Sequence, residues 1–429
     1  MKKDIQAIRG MQDILPDECE RWSNLEKTLA EIARQYCYRE IRFPIVEFVE
    51  LFSRSIGENT DIIEKEMYLF NDRNGDKLAL RPEGTASCVR VGIEHGLLHN
   101  QIQRLFYYGP MFRHERPQRG RYRQFHQFGV EAYGLTGPAI DLELMLIARR
   151  FWQELGIEDL VTLQINTLGS LESRQRYRQC LIDYLQQNYS LLDDDSRRRL
   201  QTNPLRVLDS KNPLLQELLW GAPKLFDHLD DSSRRHFNEL LTMLDHMKIS
   251  YVINHGLVRG LDYYNLTVFE WVVASQDTLA QNAICAGGHY DSLVATLGGK
   301  STPAVGFAIG IERLLALISE RQSPASANMV YLIAFGDQAM VHSMRIAEHL
   351  RRQGGRRQSG KMIMVDCGGG GLKSQLKRAD RSGAQIALIL GSAELARGEV
   401  VVKYLRDQRP QQSIRIDDIM DFLQNQEFC

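Results

Sequence analysis

Residues 107–133 read YYGPMFRHERPQRGRYRQFHQFGVEAY. Two strand-like segments, Tyr107–Glu115 and Gln124–Tyr133, flank a polar loop that carries Pro117 and Gly120, both turn residues. The pattern predicts an antiparallel hairpin with a long basic tip. Arg113, Arg116, Arg119, Arg121 and Arg123 fall within eleven positions, offset by one acid, Glu115. Guanidinium groups crowded in this way repel one another in water, and a polyanion seated between them removes the repulsion. On the outgoing strand, period two puts Phe125, Gln127, Gly129, Glu131 and Tyr133 on one face. Two hydrogen-bonding side chains, a gap and two aromatics suit the wall of a small polar pocket. The alternative is a solvated edge hairpin, but edges are more often protected by Lys and need no Gln/Gly/Glu face.

The 429 residues allow two or three domains. With 43% hydrophobic and 25% charged residues the composition is that of an ordinary soluble globular protein. A net charge of −1 means that any nucleic-acid partner is met by local patches. The seven cysteines form no CxxC pair and are odd in number, which disfavours a disulfide framework or zinc ribbon and points to a reducing cytosol. The N-terminal residues lack the apolar core of a signal peptide, and no apolar run approaches the roughly 20 residues of a membrane span.

Outward from the hairpin, Trp22, Leu25, Leu29, Ile32 and Tyr36 recur at helical spacing. A short strand ending at Pro44 follows. Asn74-Gly75 predicts a turn between two short strands. In the segment RPEGT, Glu83 and Thr85 stand where strand becomes helix, a place where Thr most often serves as a helix cap. From about 170 to 248 charged helical segments dominate, broken at Asn203-Pro204 and Asn212-Pro213. Strand texture returns at Tyr251–Val258, then LVRGLDYY over 257–264, with Arg259, Tyr263 and Tyr264. A strand over 302–310 leads into a helix that carries Arg313 in its first turn, where a cation is disfavoured by the helix dipole and suggests an anionic partner. After the small-residue stretch 323–328, strands and helices alternate, which implies an α/β domain. Residues 327–429 hold 15 Lys and Arg against 11 Asp and Glu, mild support for an RNA surface.

FRHERPQRGRYRQFHQFGVE resembles motif 2 of the class II aminoacyl-tRNA synthetases in its histidyl-tRNA synthetase form. The first helix, strand and Pro44 resemble motif 1, and GFAIGIERL resembles motif 3. LVRGLDYY resembles a signature of histidyl-tRNA synthetases and their close relatives. AGGHYDSL, from Ala286 to Leu293, resembles the second histidine-specific segment, but has His289 where the family usually has Arg and Ser292 where it has Gly. The resemblance implies an α/β (α+β) catalytic domain over 1–325, built on an antiparallel sheet with a helical insertion at about 170–248. It also implies a C-terminal α/β anticodon-binding domain over 326–429.

The implied activity is cytoplasmic histidine–tRNA ligation by a homodimer without membrane association. L-histidine and ATP form an adenylate, and the histidyl group then passes to tRNA(His). Carried over residue by residue, Arg113 and Arg259 would stabilise charge at the α-phosphate. Arg121 and Arg313 would hold the γ-phosphate side of ATP, with Mg2+ carried on the nucleotide and no resident protein metal. Glu83 and Thr85 would take the α-amino group, and Gln127 would steer the carboxylate. Glu131 and Tyr264 would bond the imidazole, with Tyr263 beside them. The resemblance also leaves open a catalytically inactive, histidine-sensing regulatory subunit of histidine biosynthesis. Such relatives usually lack the C-terminal domain and the full set of arginines.

Overall fold

The computed structural model describes residues 5–57, 60, 62–118, 120–208, 210, 212–273, 282–319, 329–336, 338–354 and 362–425. It divides into two compact units, Met1–Gln322 and Ser323–Cys429. The expected boundary at 325/326 and Arg119 both lie outside the described residues.

Unit 1 is organised by an eight-stranded sheet. Its spatial order is Arg39–Glu40, Gln103–Phe112, Gln124–Tyr133, Ala304–Gly310, Ala283–His289, Asn265–Val273, Val161–Thr167 and Tyr251–Ile253. The inner pairings are antiparallel, whereas the two outermost are parallel. Gln103–Phe112 and Gln124–Tyr133 pair over their full lengths, with Tyr107 opposite Gly129. Both strands are flanked by others, so the edge-hairpin alternative does not hold. The short strand before Pro44 covers only Arg39–Glu40.

Period two sorts the outgoing strand as its sequence implies. Phe128, Val130 and Ala132 enter the main core. There they meet the helix Pro138–Glu154 through Leu144, Met145, Ala148, Phe151 and Trp152, and the first helix, Pro16–Gln35, through Leu25, Leu29 and Ile32. Phe151 packs edge-on to Phe128 with ring centroids 5.7 Å apart. The other face carries Tyr133 into a second core with Tyr107, Tyr263, Tyr264 and Tyr290. A greasy sheet face is thus anchored on helices, and the aromatic, hydroxyl-bearing face is left to build a pocket.

The helical stretch after Ser170 comprises Leu171–Gln187, Asp194–Thr202, Pro213–Trp220 and Asp231–His246. Each starts on a side-chain cap, from Ser170, Asp193, Asn212 and Asp230 respectively, which satisfies amide donors the helix cannot. Asp230 also accepts from the hydroxyls of Ser170, Ser173 and Ser233. The last helix does not stand apart. Its Phe237, Leu240 and Leu244 join the main core.

Unit 2 has a mixed five-stranded sheet ordered Met362–Val365, Met329–Phe335, Ile386–Gly391, Glu399–Tyr404 and Gln412–Arg415. The first two pairings are parallel and the last two antiparallel. Among the described residues no helix is long and apolar enough to cross a membrane.

Candidate active site

A cavity of about 210 Å3 opens on the polar face of the large sheet. The outgoing hairpin strand Gln124–Tyr133 and the hairpin loop, the RPEGT turn, the LVRGLDYY loop, the strand Ala283–His289 and the helix Ile311–Ile318 all reach it. Arg113, Arg121, Arg259 and Arg313 line it together with Glu83, Thr85, Gln127, Tyr263 and Tyr264. Of the ten candidate residues read from the sequence, only Glu131 is not in the wall.

The arginines come from four different places in the chain, and each is held. Arg113, just past its strand, donates from Nε to the Pro82 carbonyl at 2.8 Å, and its guanidinium lies 5.3 Å from the Phe125 ring centre. Burial lowers its pKa. Arg121 is ion-paired with Glu115. Arg259 is ion-paired with Glu270 and sits 5.4 Å from the Tyr264 ring centre. Burial opposes its charge, but Glu270 and the two tyrosines raise its pKa overall. Arg313 donates from Nε to the Gly120 carbonyl at 3.1 Å and from Nη1 to the Ala283 carbonyl at 2.9 Å. Burial first, then Arg113 and Arg121 nearby, bring its pKa down to about 10. That mutual repulsion is the electrostatic signature of a site made for an anion.

Four glutamates, Glu83, Glu115, Glu270 and Glu312, line the same cavity. Glu312 accepts from the His126 amide through both oxygens, at 2.9 and 3.0 Å. Glu83 caps its own helix. Its carboxylate accepts from the amides of Thr85 and Ala86, each at 2.8 Å. Thr85 is therefore not the cap, and its hydroxyl is released to donate to Glu131 at 2.8 Å. Burial raises the pKa of Glu83, and the two amides oppose that rise.

At the far end lies a cage of hydroxyls. Glu131 is 1% exposed. It accepts from Thr85, from Tyr107 at 3.2 Å and from Tyr290. Burial pushes its carboxyl up to about 8 against the pull of these donors, with Glu83 adding to the rise. Tyr263 and Tyr264 flank the cage with ring centroids 4.7 Å apart, and Tyr290 is 5.6 Å from Tyr263. Glycine makes the space. A Cβ on Gly306 would sit 1.7 Å from a Glu131 oxygen, and Cβ atoms on Gly84 and Gly129 would sit 2.2 and 2.1 Å from the Tyr107 ring. Among the described residues, the buried Oε1 of Gln127 and Nε of Arg259 have no hydrogen-bond partner. Such orphaned groups in a cavity mark where a polar ligand completes the bonding.

Sequence reading missed the strand Ala283–His289, which supplies Ala283, Ile284, Cys285 and Ala286 to the wall. Its Gly287 and Gly288 hide the strand signal, although a side chain there would collide with the Gly306 and Thr267 carbonyls. It also missed Tyr107 and Glu270. Tyr107 sits in a run of hydrophobics, and Glu270 among strand residues. His289 is 2% exposed and faces away from the cavity, against Asp141 at 2.9 Å and Asp291 at 3.3 Å. Burial would lower its pKa, but the two carboxylates hold it up at about 10.

The family model described as histidyl-tRNA synthetase matches residues 10–314, and that of the anticodon binding domain matches 329–426. Among solved structures, the chain is similar to apo histidyl-tRNA synthetase from S. aureus. Identity is 33% with a TM-score of 0.81, covering 98% of this chain and 100% of that one. Histidyl-tRNA synthetase from Nostoc sp. PCC 7120 shares the fold at 20% identity and a TM-score of 0.71, over 99% of each chain. An ATP phosphoribosyltransferase regulatory subunit/histidyl-tRNA synthetase from Bacillus halodurans C shares it at 20% identity and a TM-score of 0.62. That match covers 89% of this chain and 97% of the other.

Proposed function

Since the chain belongs to the histidyl-tRNA synthetase family, we propose that it is an active, cytoplasmic, homodimeric histidine–tRNA ligase. It joins L-histidine to ATP, releasing pyrophosphate, and passes the histidyl group to the 3′ end of tRNA(His). The observation that carries this reading is four arginines in one cavity whose Thr85 reaches a buried carboxyl, Glu131, held by hydroxyls behind the wall.

A carboxylate oxygen of histidine attacks the α-phosphorus, and the bond to the pyrophosphate oxygen breaks. Negative charge grows on the α-phosphate oxygens, and fixed cations stabilise that growth without reorganising. Arg113 and Arg259 supply them from opposite walls, while Arg121 and Arg313 hold the γ-phosphate side. The phosphates take over the arginine contacts that Glu115 and Glu270 make in the ligand-free protein. Those released carboxylates are hard oxygen donors that suit Mg2+ carried in on the nucleotide. Mg2+ held there would supply charge neutralisation to the phosphates.

Glu83 and Thr85 receive the ammonium, and the orphaned end of Gln127 steers the carboxylate. Glu131, supported by its hydroxyls, and Tyr264 bond the two imidazole nitrogens, with Tyr263 beside them. Selection follows because an analogue without ring nitrogens leaves buried polar groups unpaired. The C-terminal domain, with its anticodon-binding match, provides the second hold on the tRNA.

ATP–pyrophosphate exchange with each of the twenty amino acids tests the reading. Exchange with histidine alone, lost in Arg259→Ala, is expected. Histidine binding without any exchange would replace the ligase by a histidine-sensing regulatory relative.

A further inference from the structure

Away from the cavity, three side chains from distant parts of the chain meet in the interior. Asp141 lies in the first turn of the helix Pro138–Glu154, His236 on the helix Asp231–His246, and His289 at the end of the strand Ala283–His289. None of them lines the nucleotide cavity. Their nearest ligand-type atoms all lie within 4.8 Å of one another. His289 Nε2 is 2.9 Å and His236 Nε2 3.2 Å from the same oxygen of Asp141. The side chains of Asp141, His289 and His236 are 0%, 2% and 12% exposed.

Hydrogen bonding alone leaves this cluster unfinished. Among the described residues the second oxygen of Asp141 is buried with no hydrogen-bond partner, and the Nε2 of His236 has only the 3.2 Å contact to the first. Two imidazole nitrogens aimed at one carboxylate are the donor set of a borderline divalent cation. Zn–N and Zn–O bonds of about 2.0–2.2 Å put tetrahedral ligand atoms about 3.4 Å apart, close to the 2.9 and 3.2 Å between each imidazole and Asp141, while all three ligand atoms lie within 4.8 Å of one another. The supporting shell is also in place. His289 turns its Nδ1 to Asp291 at 3.3 Å, and Asp291 is fixed by the Asn265 side chain at 2.8 Å and the Ala304 amide at 2.9 Å. A carboxylate behind a ligating imidazole sets its orientation and raises its basicity.

We propose that Asp141, His236 and His289 form a zinc site. The ion binds through both Nε2 atoms and the Asp141 carboxylate, displacing to solvent the proton that lies between His289 and Asp141. Its role is structural. It ties two core helices to the strand whose next residue, Tyr290, donates to Glu131, and so holds one wall of the hydroxyl cage.

The test is metal content of the full-length, untagged protein, stripped with chelator and re-equilibrated with zinc, followed by X-ray absorption at the zinc edge. About one equivalent retained per chain, in a shell of nitrogen and oxygen showing imidazole scattering, is expected. His236→Gln should lose that equivalent and the rise in melting temperature that zinc confers. Under about a tenth of an equivalent on the parent, or sulfur in the zinc shell, would overturn the site. Undiminished zinc on a folded His236→Gln would do the same. If His236→Gln does not fold, the absorption spectrum of the parent alone decides.

Discussion

Glu131→Gln is the most informative single change beside the cavity, because it keeps the shape and removes the titrating proton. The parent carboxyl titrates near about 8, against 4.5 for a free one. Between those values the folded chain holds a proton that the unfolded chain has released. Stability of the parent therefore falls as pH rises through this window, by up to about 1.4 kcal/mol per unit, and levels off above about 8. Gln does not titrate, so the variant gains on the parent with rising pH, by about 5 kcal/mol at the outside. Function moves the other way. Above about pH 8, where the parent carboxylate is charged, a hydrogen bond to it contributes about 1.5–3 kcal/mol, so KM for histidine at pH 9 should rise roughly ten- to 150-fold. Urea unfolding at pH 6, 7, 8 and 9, with pyrophosphate exchange at varied histidine, reads both effects. Equal pH slopes for parent and variant would refute the burial argument, and an unchanged KM would remove Glu131 from histidine recognition.

Three further outcomes follow from the same contacts. Arg259→Ala should cost exchange about a hundred- to a thousand-fold. It should also destabilise the fold by about 3 kcal/mol, since the ion pair with Glu270 is broken. Adding Glu270→Ala should restore stability in denaturant melts while exchange stays low. Gly306→Ala places a methyl 1.7 Å from the Glu131 carboxylate, so histidine KM should rise and unfolding temperature drop, with ATP affinity little changed. Asp230→Ala removes a helix cap and three hydroxyl contacts and should cost about 1–2 kcal/mol at pH 7. The parent's Asp230 carboxyl is held below its usual 3.8 by those donors, despite the opposing effect of burial. The stabilisation is thus present above about 3.8 and disappears as acid titrates the folded form, which acid-unfolding curves of both proteins would reveal.

The hairpin was legible because its signals are local: alternation, a Pro and Gly tip, and charges too dense for an empty surface. Its Arg113 and Arg121 and the LVRGLDYY residues Arg259, Tyr263 and Tyr264 do meet in one cavity, whereas Arg116 and Arg123 are not in its wall. What could not be read was pairing across the sheet. Nothing near Glu131 in sequence announces that Thr85, Tyr107 and Tyr290 would converge on it, since those contacts span 46, 24 and 159 positions. Glu115 and Glu270 looked incidental, yet both oppose the arginines directly. The strand Ala283–His289 was hidden because its glycines serve close backbone approach, and glycine ordinarily reads as a break. The helix Asp231–His246 looked like part of an insertion because its charged face dominates its composition, while three residues on the other face complete the core.

Tyr107 lies between Gly84 and Gly129, with no room for a methyl on either side. The three positions therefore form an interlocked unit in sequence space. A lineage that places alanine at 84 or 129 first collides with the ring. One that first shrinks Tyr107 loses a donor to Glu131 and leaves a void beside the buried carboxyl. Every single step is disfavoured, so divergence here requires coupled substitutions. Homologues carrying a side chain at either glycine should also carry a smaller residue in place of the tyrosine, together with a different solution for holding the buried carboxyl.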